Sequence, residues 1–344
     1  MNTLISSRLG LRSAAFGLLS AALAALALVA TLAGCGANPT TNASLPTLTL
    51  GLTYVPNIQF APFYVAEEKG YFKAAGVNVI LRHHSFTEDE FSAIAAGKEN
   101  AIFAGGDEIL QARSKGLPLV YTASVFARYP VALIVPASSS IQSVAGLKGH
   151  TIGVPGLYGA TYIGLLALLR SAGLKQSDVH IQSIGFTQVS ALLTHKVDAV
   201  MGYLNNETIQ FQQAKFAIRT YPASSVQPLI SNGLAFPQSL LTAHPSEAKA
   251  LIAATLKGVQ YTIAHPQDAF NISKQYVTTL NDPTQATTQM AVLQATIALF
   301  QTNGAKMGYT SASDWQAMET FLASIGQLSS AVDTSKAFSD AYLP

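Results

Sequence analysis

Short apolar runs alternate with longer amphipathic stretches along most of the chain. In residues 47–53 leucine occupies every second position, which predicts a strand with one buried face. A helical pattern follows at 63–69 and stops at Gly70, a residue favoured at helix C-termini because it adopts positive φ. Strand–helix alternation with short connections predicts parallel strand pairing and an α/β architecture.

The alternation runs through two successive blocks of the chain. Further strands are predicted at 77–81, 101–104, 119–123, 131–135, 151–154, 179–184 and 199–201, and the helices between them at 88–96, 108–115, 161–171, 189–194 and 208–214.

Two segments are expected to connect the blocks. Strand 131–135 carries the chain from a first lobe to a second, and 228–236 brings it back. After residue 245 the patterns are mostly helical, at 248–264, 266–279 and 287–303, which suits helices that pack against the first lobe. Two α/β lobes joined by two crossings leave a cleft between them, and such clefts are common ligand sites.

The N-terminus has the features of a secretory signal. Arg8 and Arg12 precede an uncharged apolar run at 13–33, which is long enough for a membrane-spanning helix. Small residues then close the run at 32–35, as at a signal cleavage site. We therefore predict a signal peptide at 1–34.

The residue after this site, Cys35, gives the segment a more specific meaning. The segment resembles a bacterial lipoprotein signal, which implies that Cys35 is lipidated after cleavage. The mature protein would then be exported and lipid-anchored at the extracytoplasmic face, at the cell surface or in the periplasm. Residues 35–45 contain too few apolar side chains to fold and are expected to form a flexible tether. An ordinary signal peptide or membrane anchor with a chance cysteine is the alternative.

Composition excludes several classes of protein. A single cysteine in 344 residues leaves no internal disulfide and no multi-cysteine metal or iron–sulfur site. The 20 Lys and Arg residues nearly balance the 18 Asp and Glu, without a basic block that would suit nucleic acid. The seven histidines are scattered without a zinc motif, and no Gly-x-Ser-x-Gly motif occurs. We expect no cofactor and no metal.

Four segments carry a family resemblance that spans about residues 47–240. They are GLTYVPNIQFAPFYVAEEKGYF at 51–72, AAGK at 95–98, GLKGHTIGVPG at 146–156 and LLTHKVDAV at 192–200. These segments are similar to the NMT1/THI5-like (thiamine-pyrimidine) group of ABC-importer binding proteins. The resemblance implies a two-lobe periplasmic-binding-protein fold of type II, with two mixed or parallel sheets and a ligand cleft between the lobes.

The same resemblance implies how the chain is divided and what it contacts. Residues 46–132 and 233–344 would form lobe 1, and residues 133–232 would form lobe 2. The partners would be a small-molecule ligand, the permease and ATPase subunits of an ABC importer, and the membrane through the lipid anchor. A protein of this kind is not an enzyme.

Two segments bear on the ligand within this family. Residues 54–66 and 202–207 look most like riboflavin-binding proteins of bacterial flavin importers. Members that bind pyrimidine precursors usually carry Trp where Tyr54 stands and His where Phe60 stands. A thiamine pyrimidine precursor or another small nutrient remains the alternative ligand. A pyrimidine-synthase-like enzyme is a third hypothesis, which the missing His and cysteine-rich motif oppose.

Candidate ligand-binding side chains in the first lobe follow predicted strands. Tyr54, Asn57 and Phe60 come after the first strand, at the sheet edge where open α/β sheets bind ligands. The two rings suit stacking on a flat heterocycle and Asn57 suits hydrogen bonding, although both rings could also be core. Asp107 opens a helix, where it would cap the helix or accept a ligand hydrogen bond.

Other candidates lie at the first crossing. Arg128 is expected to pair with an acidic ligand or with Glu207, or to be a solvated surface residue, and Tyr129 is a stacking candidate. Tyr158 and Thr161 flank the start of the second-lobe helix, whose free N–H groups would bind a carbonyl, a hydroxyl or a phosphate, or simply begin the helix.

The last group follows the strand at 199–201. Tyr203, Asn205, Asn206 and Glu207 bring polar and aromatic groups to one strand end and suit hydrogen bonding to imide or ribityl groups. Turn formation alone would also explain the Asn205-Asn206 pair.

Overall fold

The computed structural model describes most of the chain that follows the N-terminal segment, namely residues 44–85, 90–302 and 304–344. The expected signal peptide at 1–34, the lipidated Cys35 and nearly all of the tether lie outside these residues. In the described part, no helix is both long enough and apolar enough to cross a bilayer.

The strands of the described residues are short, and most carry apolar side chains. They are β1 (Thr47–Leu52), β2 (Asn78–His83), β3 (Ala101–Ala104), β4 (Leu119–Ser124), β5 (Val131–Pro136), β6 (Thr151–Val154), β7 (His180–Ser183), β8 (Ala199–Tyr203), β9 (Ile218–Pro222) and β10 (Gly233–Pro237).

The first sheet has the strand order β2-β1-β3-β10-β4. β1 pairs in parallel with β2 and β3, whereas β10 runs antiparallel between β3 and β4. The alternating leucines of β1, Leu48, Leu50 and Leu52, are buried as the pattern predicts. β10 belongs to the returning segment, so this crossing is a strand inside the sheet.

The second sheet has the strand order β7-β6-β8-β5-β9. β6 pairs in parallel with β7 and β8, and β5 runs antiparallel to both β8 and β9. The predicted α/β fold with two mixed sheets and two lobes is confirmed. The exact lobe boundaries, 46–132 with 233–344 and 133–232, stay a prediction.

Helices cover both sheets. Among the described residues they are α1 (Ala61–Glu68), α2 (Tyr71–Ala74), α3 (Glu90–Ala95), α4 (Gly106–Ser114), α5 (Gly159–Ser171), α6 (Gln188–Leu193), α7 (Glu207–Gln213), α8 (Gln238–Ala243), α9 (Pro245–Ala264), α10 (Pro266–Ser273), α11 (Pro283–Phe300) and α12 (Ala312–Ser324).

The C-terminal helices pack against the first sheet and its helices. α9 approaches α1 so closely that a Cβ on Gly258 would lie 2.2 Å from the carbonyl oxygen of Pro62. The single tryptophan, Trp315 of α12, is fully buried and stacks on Phe338 with ring centroids 5.5 Å apart. These contacts hold the first sheet in a fixed frame, on which one side of the site is built.

Candidate ligand-binding site

A cavity lies where strand ends of the first sheet face strand ends of the second. It holds about 890 Å³ of space, a figure that includes the open solvent at its mouth. Thr53 and Tyr54 reach it from the end of β1, Pro155 from the end of β6, and Tyr203 from the end of β8. The carboxyl ends of the parallel strands therefore converge on one space.

Aromatic rings dominate the side formed by the first sheet, which we call the first-sheet wall (Tyr54, Phe60, Phe103 and Phe126). Phe103 meets Phe60 and Phe126 edge to face, with ring centroids 6.0 and 5.7 Å away. These three phenylalanines are buried and belong to the core of the first sheet. The wall is consequently held in place by the same packing that stabilises the lobe.

The opposite side, the second-sheet wall (Tyr158, Phe186, Gln188, Tyr203 and Asn206), combines rings with amides. Phe186 is half-buried and is in direct edge-to-face contact with Tyr54 of the first-sheet wall, with ring centroids 4.4 Å apart. Rings therefore face the cavity from both sides, as a flat heterocyclic ligand would require.

Tyr158 stands at the mouth of the cavity and is 48% exposed. Its ring lies over Gly156, where an added Cβ would come within 2.2 Å of the tyrosine ring. Only glycine leaves room for the ring at this position, so the position of Tyr158 depends on the absence of a side chain two residues earlier.

Glu207 is the central polar group of the second-sheet side. Its Oε2 accepts from the backbone N–H of Tyr203 at 2.7 Å, and its Oε1 accepts from the Asn206 amide at 2.9 Å. Burial raises the pKa of Glu207, and these hydrogen bonds offset part of that effect. Burial and the nearby Glu207 charge also raise the pKa of Tyr54, whose hydroxyl is hydrogen-bonded to Asn206.

Two further carboxyl groups lie at the start of α4. Glu108 lines the cavity, and its Oε2 accepts from the Gly105 backbone N–H at 2.7 Å, which caps the helix. Asp107 is fully buried, and neither of its carboxylate oxygens has a well-aligned hydrogen-bond partner among the described residues. Burial and the charge of Glu108 raise the pKa of Asp107 well above its ordinary value.

A cluster of hydrogen-bonded side chains, Arg82, His84 and Glu99, lies beside β1 and supports the cavity. His84 lines the cavity, and its Nε2 lies 2.6 Å from Glu99 Oε1, the same oxygen that Arg82 contacts at 2.6 Å. A Cβ on Gly51 would lie 2.3 Å from Glu99 Oε2, so a glycine is needed for Glu99 to fit beside β1. This arrangement fixes the ring of His84 at the cavity wall.

Asn205 joins elements on the two sides of the cleft. Its Nδ2 donates to Thr296 Oγ1 of α11 at 2.9 Å and, more weakly, to Gln59 Oε1 at 3.4 Å. Asn205 follows β8, whereas Gln59 lies in the turn after β1, and the amide is almost fully buried. The structure is therefore closed at this point of the cleft.

Seven of the twelve side chains predicted to bind the ligand line the cavity, and the structure brings them together from both sheets. They are Tyr54, Phe60, Tyr158, Thr161, Tyr203, Asn206 and Glu207.

Two of the other five lie at the start of a turn or a helix and outside the cavity lining. Asn57 Oδ1 accepts from the Gln59 backbone N–H at 3.1 Å and caps the 3₁₀ turn that begins at Ile58. Asp107 is buried behind Glu108 and does not line the cavity. The capping role is therefore confirmed for Asn57 only, because at the start of α4 the N-cap residue is Gly105 and Glu108, not Asp107, accepts from its N–H.

The remaining three, Arg128, Tyr129 and Asn205, also lie outside the cavity lining. Arg128 donates to the carbonyl oxygen of Ala298, and it does not form the expected pair with Glu207, whose two oxygens are already hydrogen-bonded. The Tyr129 hydroxyl donates to the carbonyl oxygen of Ala160 at 2.8 Å. Their predicted contact with a ligand stays a prediction.

Several lining residues were missed by the sequence analysis. They are Thr53, Gln59, His84, Ser85, Phe103, Glu108, Phe126, Pro155, Gly159, Ala160, Phe186, Gln188 and Asn232. The strand-end rule would have found Phe186 and Gln188, because they follow β7. Asn232 gives no such signal. Its amide oxygen is buried without a hydrogen-bond partner in the described part of the chain, and is free to accept from a ligand.

Metal ligation has no counterpart in this geometry. In residues 44–85, 90–302 and 304–344, no three His, Cys, Asp or Glu side chains come together as a metal site would need.

The two mixed sheets, the strand order of each and the cleft between them define a two-lobe periplasmic-binding-protein fold. The family model described as NMT1/THI5 like matches residues 57–269, and the chain belongs to this family. The family resemblance noted in the sequence is thereby confirmed.

Two curated relatives cover nearly the whole chain. The riboflavin-binding protein RibY of Chloroflexus aurantiacus is 34% identical over 89% of this chain and 88% of its own length. The formylaminopyrimidine-binding protein of Halalkalibacterium halodurans is 26% identical over 90% of this chain and 94% of its own length.

Among solved structures, the alkanesulfonate-binding protein SsuA from Xanthomonas axonopodis pv. citri, bound to MOPS, superposes with a TM-score of 0.68. It covers 86% of this chain and 99% of its own, at 16% sequence identity. At that identity the likeness shows the fold alone.

Proposed function

We propose that this chain is the solute-binding component of an ABC importer, and that it binds riboflavin in the cavity between the two sheets. One observation carries the proposal: aromatic rings from both sheets line one cavity, whose remaining lining is rich in hydrogen-bonding groups. A flat, polar heterocycle matches both features, because rings stack on it while amides and carboxyl groups pair with its edge.

Similarity supports the same ligand. The relative that is 34% identical is named a riboflavin-binding protein, and the similarity extends over 89% of the chain. The relative that is 26% identical is named for a formylaminopyrimidine, which keeps a pyrimidine as the second candidate. Both compounds are planar and carry hydrogen-bonding groups around a ring, so both suit the same kind of cavity.

The mechanism is capture and release without chemical change. The ligand contacts the first-sheet wall in an open form, and the second lobe then closes and adds Tyr158, Thr161 and Glu207. Closure is driven only by contacts that the closed form makes and the open form lacks. The closed form docks on the permease, and the ATPase subunits power transport. Recovery of chemically altered ligand by mass spectrometry would contradict this mechanism and favour a pyrimidine-synthase-like enzyme.

Export and anchoring complete the proposal. Signal cleavage before Cys35 and lipidation of its thiol would hold the protein at the extracytoplasmic face, beside the permease. Incorporation of a radiolabelled fatty acid into the wild-type chain, and its loss in Cys35→Ser, tests this step. Equal labelling of both chains would remove it.

The ligand is tested by titrating the full chain, purified in detergent, into riboflavin and following flavin fluorescence. Stacking and several hydrogen bonds should give a dissociation constant from below micromolar to micromolar, or about 8–9 kcal/mol. The absence of quenching at micromolar protein would remove riboflavin as the ligand. A thermal-shift panel of pyrimidine precursors, formylaminopyrimidine among them, then tests the second candidate.

A further inference from the structure

The charged groups around the cavity are all acidic apart from one histidine. Glu108 reaches the cavity from the first lobe and Glu207 from the second, and no Lys or Arg side chain is among the described lining residues. His84 is already paired with Glu99. An anionic ligand would therefore meet carboxyl groups from two sides without a cation that could compensate for them.

One feature would ordinarily attract an anion. Helix α5 starts in the cavity wall with Gly159, Ala160 and Thr161, and the N–H groups at a helix start favour negative charge. Phosphate groups in other proteins commonly occupy such positions.

That position is already taken by the protein itself. A Cβ placed on Gly159 would lie 3.0 Å from Glu108 Oε1, so the carboxylate lies directly against the start of α5. Its other oxygen, Oε2, is held by the Gly105 backbone N–H at 2.7 Å. Glu108 is buried and fixed between the two helix starts.

We propose that Glu108 acts as a built-in anion at the start of α5, and that it makes the cavity selective for unphosphorylated ligands. This inference rests on the proposed function and specifies the class of ligand. A phosphate at this helix start would lie next to the Glu108 carboxylate, and in a buried space the repulsion between the two anions is screened only weakly by solvent. The cavity thus accepts riboflavin and rejects its 5′-phosphate.

Glu207 strengthens the selection. Its carboxyl group is 4% exposed, and its oxygens already accept from Tyr203 and Asn206. A dianion entering the cavity would either face the ionised carboxylate or force it to take up a proton. Both outcomes make the binding of a dianion less favourable than the binding of an uncharged ligand.

The test compares riboflavin with flavin mononucleotide (FMN) on the full chain in detergent at pH 7.5, with the same fluorescence readout. Riboflavin should bind at least about tenfold more tightly, which corresponds to about 1.4 kcal/mol. In Glu108→Gln the ratio of the FMN dissociation constant to the riboflavin dissociation constant should fall at least about threefold, because the substitution removes the charge and keeps a hydrogen-bonding side chain of similar size. Glu319→Gln, on α12 outside the cavity lining, makes the same chemical change and should leave the ratio unchanged.

Charge is separated from size by a third probe, riboflavin 5′-acetate, which carries an uncharged group at the position of the phosphate. Its affinity should be close to that of riboflavin and well above that of FMN. This comparison uses the wild-type chain alone, so it decides the matter even if Glu108→Gln unfolds.

Different failures are distinguishable. If FMN binds the wild-type chain as tightly as riboflavin, or if the acetate is rejected like FMN, the inference is overturned and the proposed function stands. An unchanged ratio in folded Glu108→Gln also overturns it. If neither flavin binds, riboflavin is removed, and hydroxymethylpyrimidine against its phosphate gives the same comparison. Binding of none of these compounds overturns both proposals.

Discussion

The two walls of the cavity are built on different principles. The phenylalanines of the first-sheet wall are core residues that also happen to border the cavity. The second-sheet wall consists of residues at strand ends, in a loop and at helix starts, with Tyr158 about half exposed and Phe186 half-buried. One wall is fixed by the fold, whereas the other can be altered without dismantling a lobe.

This difference separates stability from recognition. A change in the first-sheet wall should act first on folding and only through it on binding. A change of the same size in the second-sheet wall should act mainly on binding. Phe103→Ala and Phe186→Ala test this separation directly, and two further variants test groups outside the walls; the largest expected effect comes first.

Phe103→Ala should reduce the free energy of unfolding by about 3–5 kcal/mol, because it empties a buried site between Phe60 and Phe126. Urea unfolding followed by circular dichroism measures the change. A loss below about 1 kcal/mol would show that the first-sheet wall is not part of the core.

Phe186→Ala should lower riboflavin affinity about tenfold, because it removes an aromatic contact worth about 0.5–1.5 kcal/mol beyond its buried area. The free energy of unfolding should fall by no more than about 1.5 kcal/mol, because the half-buried ring loses only its contact with Tyr54. Flavin fluorescence titration and urea unfolding give the two numbers. Equal stability losses in Phe186→Ala and Phe103→Ala would erase the distinction between the walls.

Asn205→Ala should weaken riboflavin binding by about threefold to tenfold, because it removes a buried hydrogen bond, worth about 0.5–1.5 kcal/mol, between the two sides of the closed cleft. Asn281→Ala removes an exposed amide with one 3.5 Å contact and serves as the control. Similar affinities for Asn205→Ala and the wild-type chain would mean that this contact does not stabilise closure.

Asp107→Asn should flatten the pH dependence of stability. Burial raises the pKa of Asp107 above its ordinary value of 3.8. Between pH 3.8 and the raised pKa, the carboxyl group is therefore protonated in the folded chain and ionised in the unfolded chain. The wild-type chain therefore loses stability as pH rises from about 3.8 towards the raised pKa. Urea unfolding at pH 5 and pH 8 should show a smaller loss in Asp107→Asn. Exposed Asp198→Asn is the control, and identical slopes in wild type and Asp107→Asn would contradict the prediction.

Much of the fold could be read from periodicity. Strand β1 and helix α5 have strong patterns because one face or the whole element is buried. Edge strand β9 was missed because its residues are nearly all partly exposed, so it has no alternating signal. Helix α12 was not predicted as a separate element, although it is amphipathic enough to bury Trp315, Met318, Phe321 and Leu322.

The site was partly predictable for a different reason. The ends of parallel strands converge in every sheet of this type, so Tyr54, Tyr203 and Glu207 could be placed near one space from their positions alone. Which strand-end side chains face inward depends on turns and caps that the pattern does not specify. For that reason Asn57 and Asn205 hydrogen-bond within the protein and do not line the cavity. Asn232, which directly precedes β10, does line it.

The position of β10 has a consequence for how the protein is made. β3 and β4 are not hydrogen-bonded neighbours, because β10 fills the place between them. Every strand of the second sheet ends by residue 222, before Gly233–Pro237 leaves the ribosome. During synthesis the second sheet can therefore form while the first sheet still lacks β10, which leaves one edge of β3 and one edge of β4 without a hydrogen-bonded neighbour. The first sheet therefore cannot be completed until residues 233–237 have been synthesised, although β1 to β4 precede the whole second sheet in the chain.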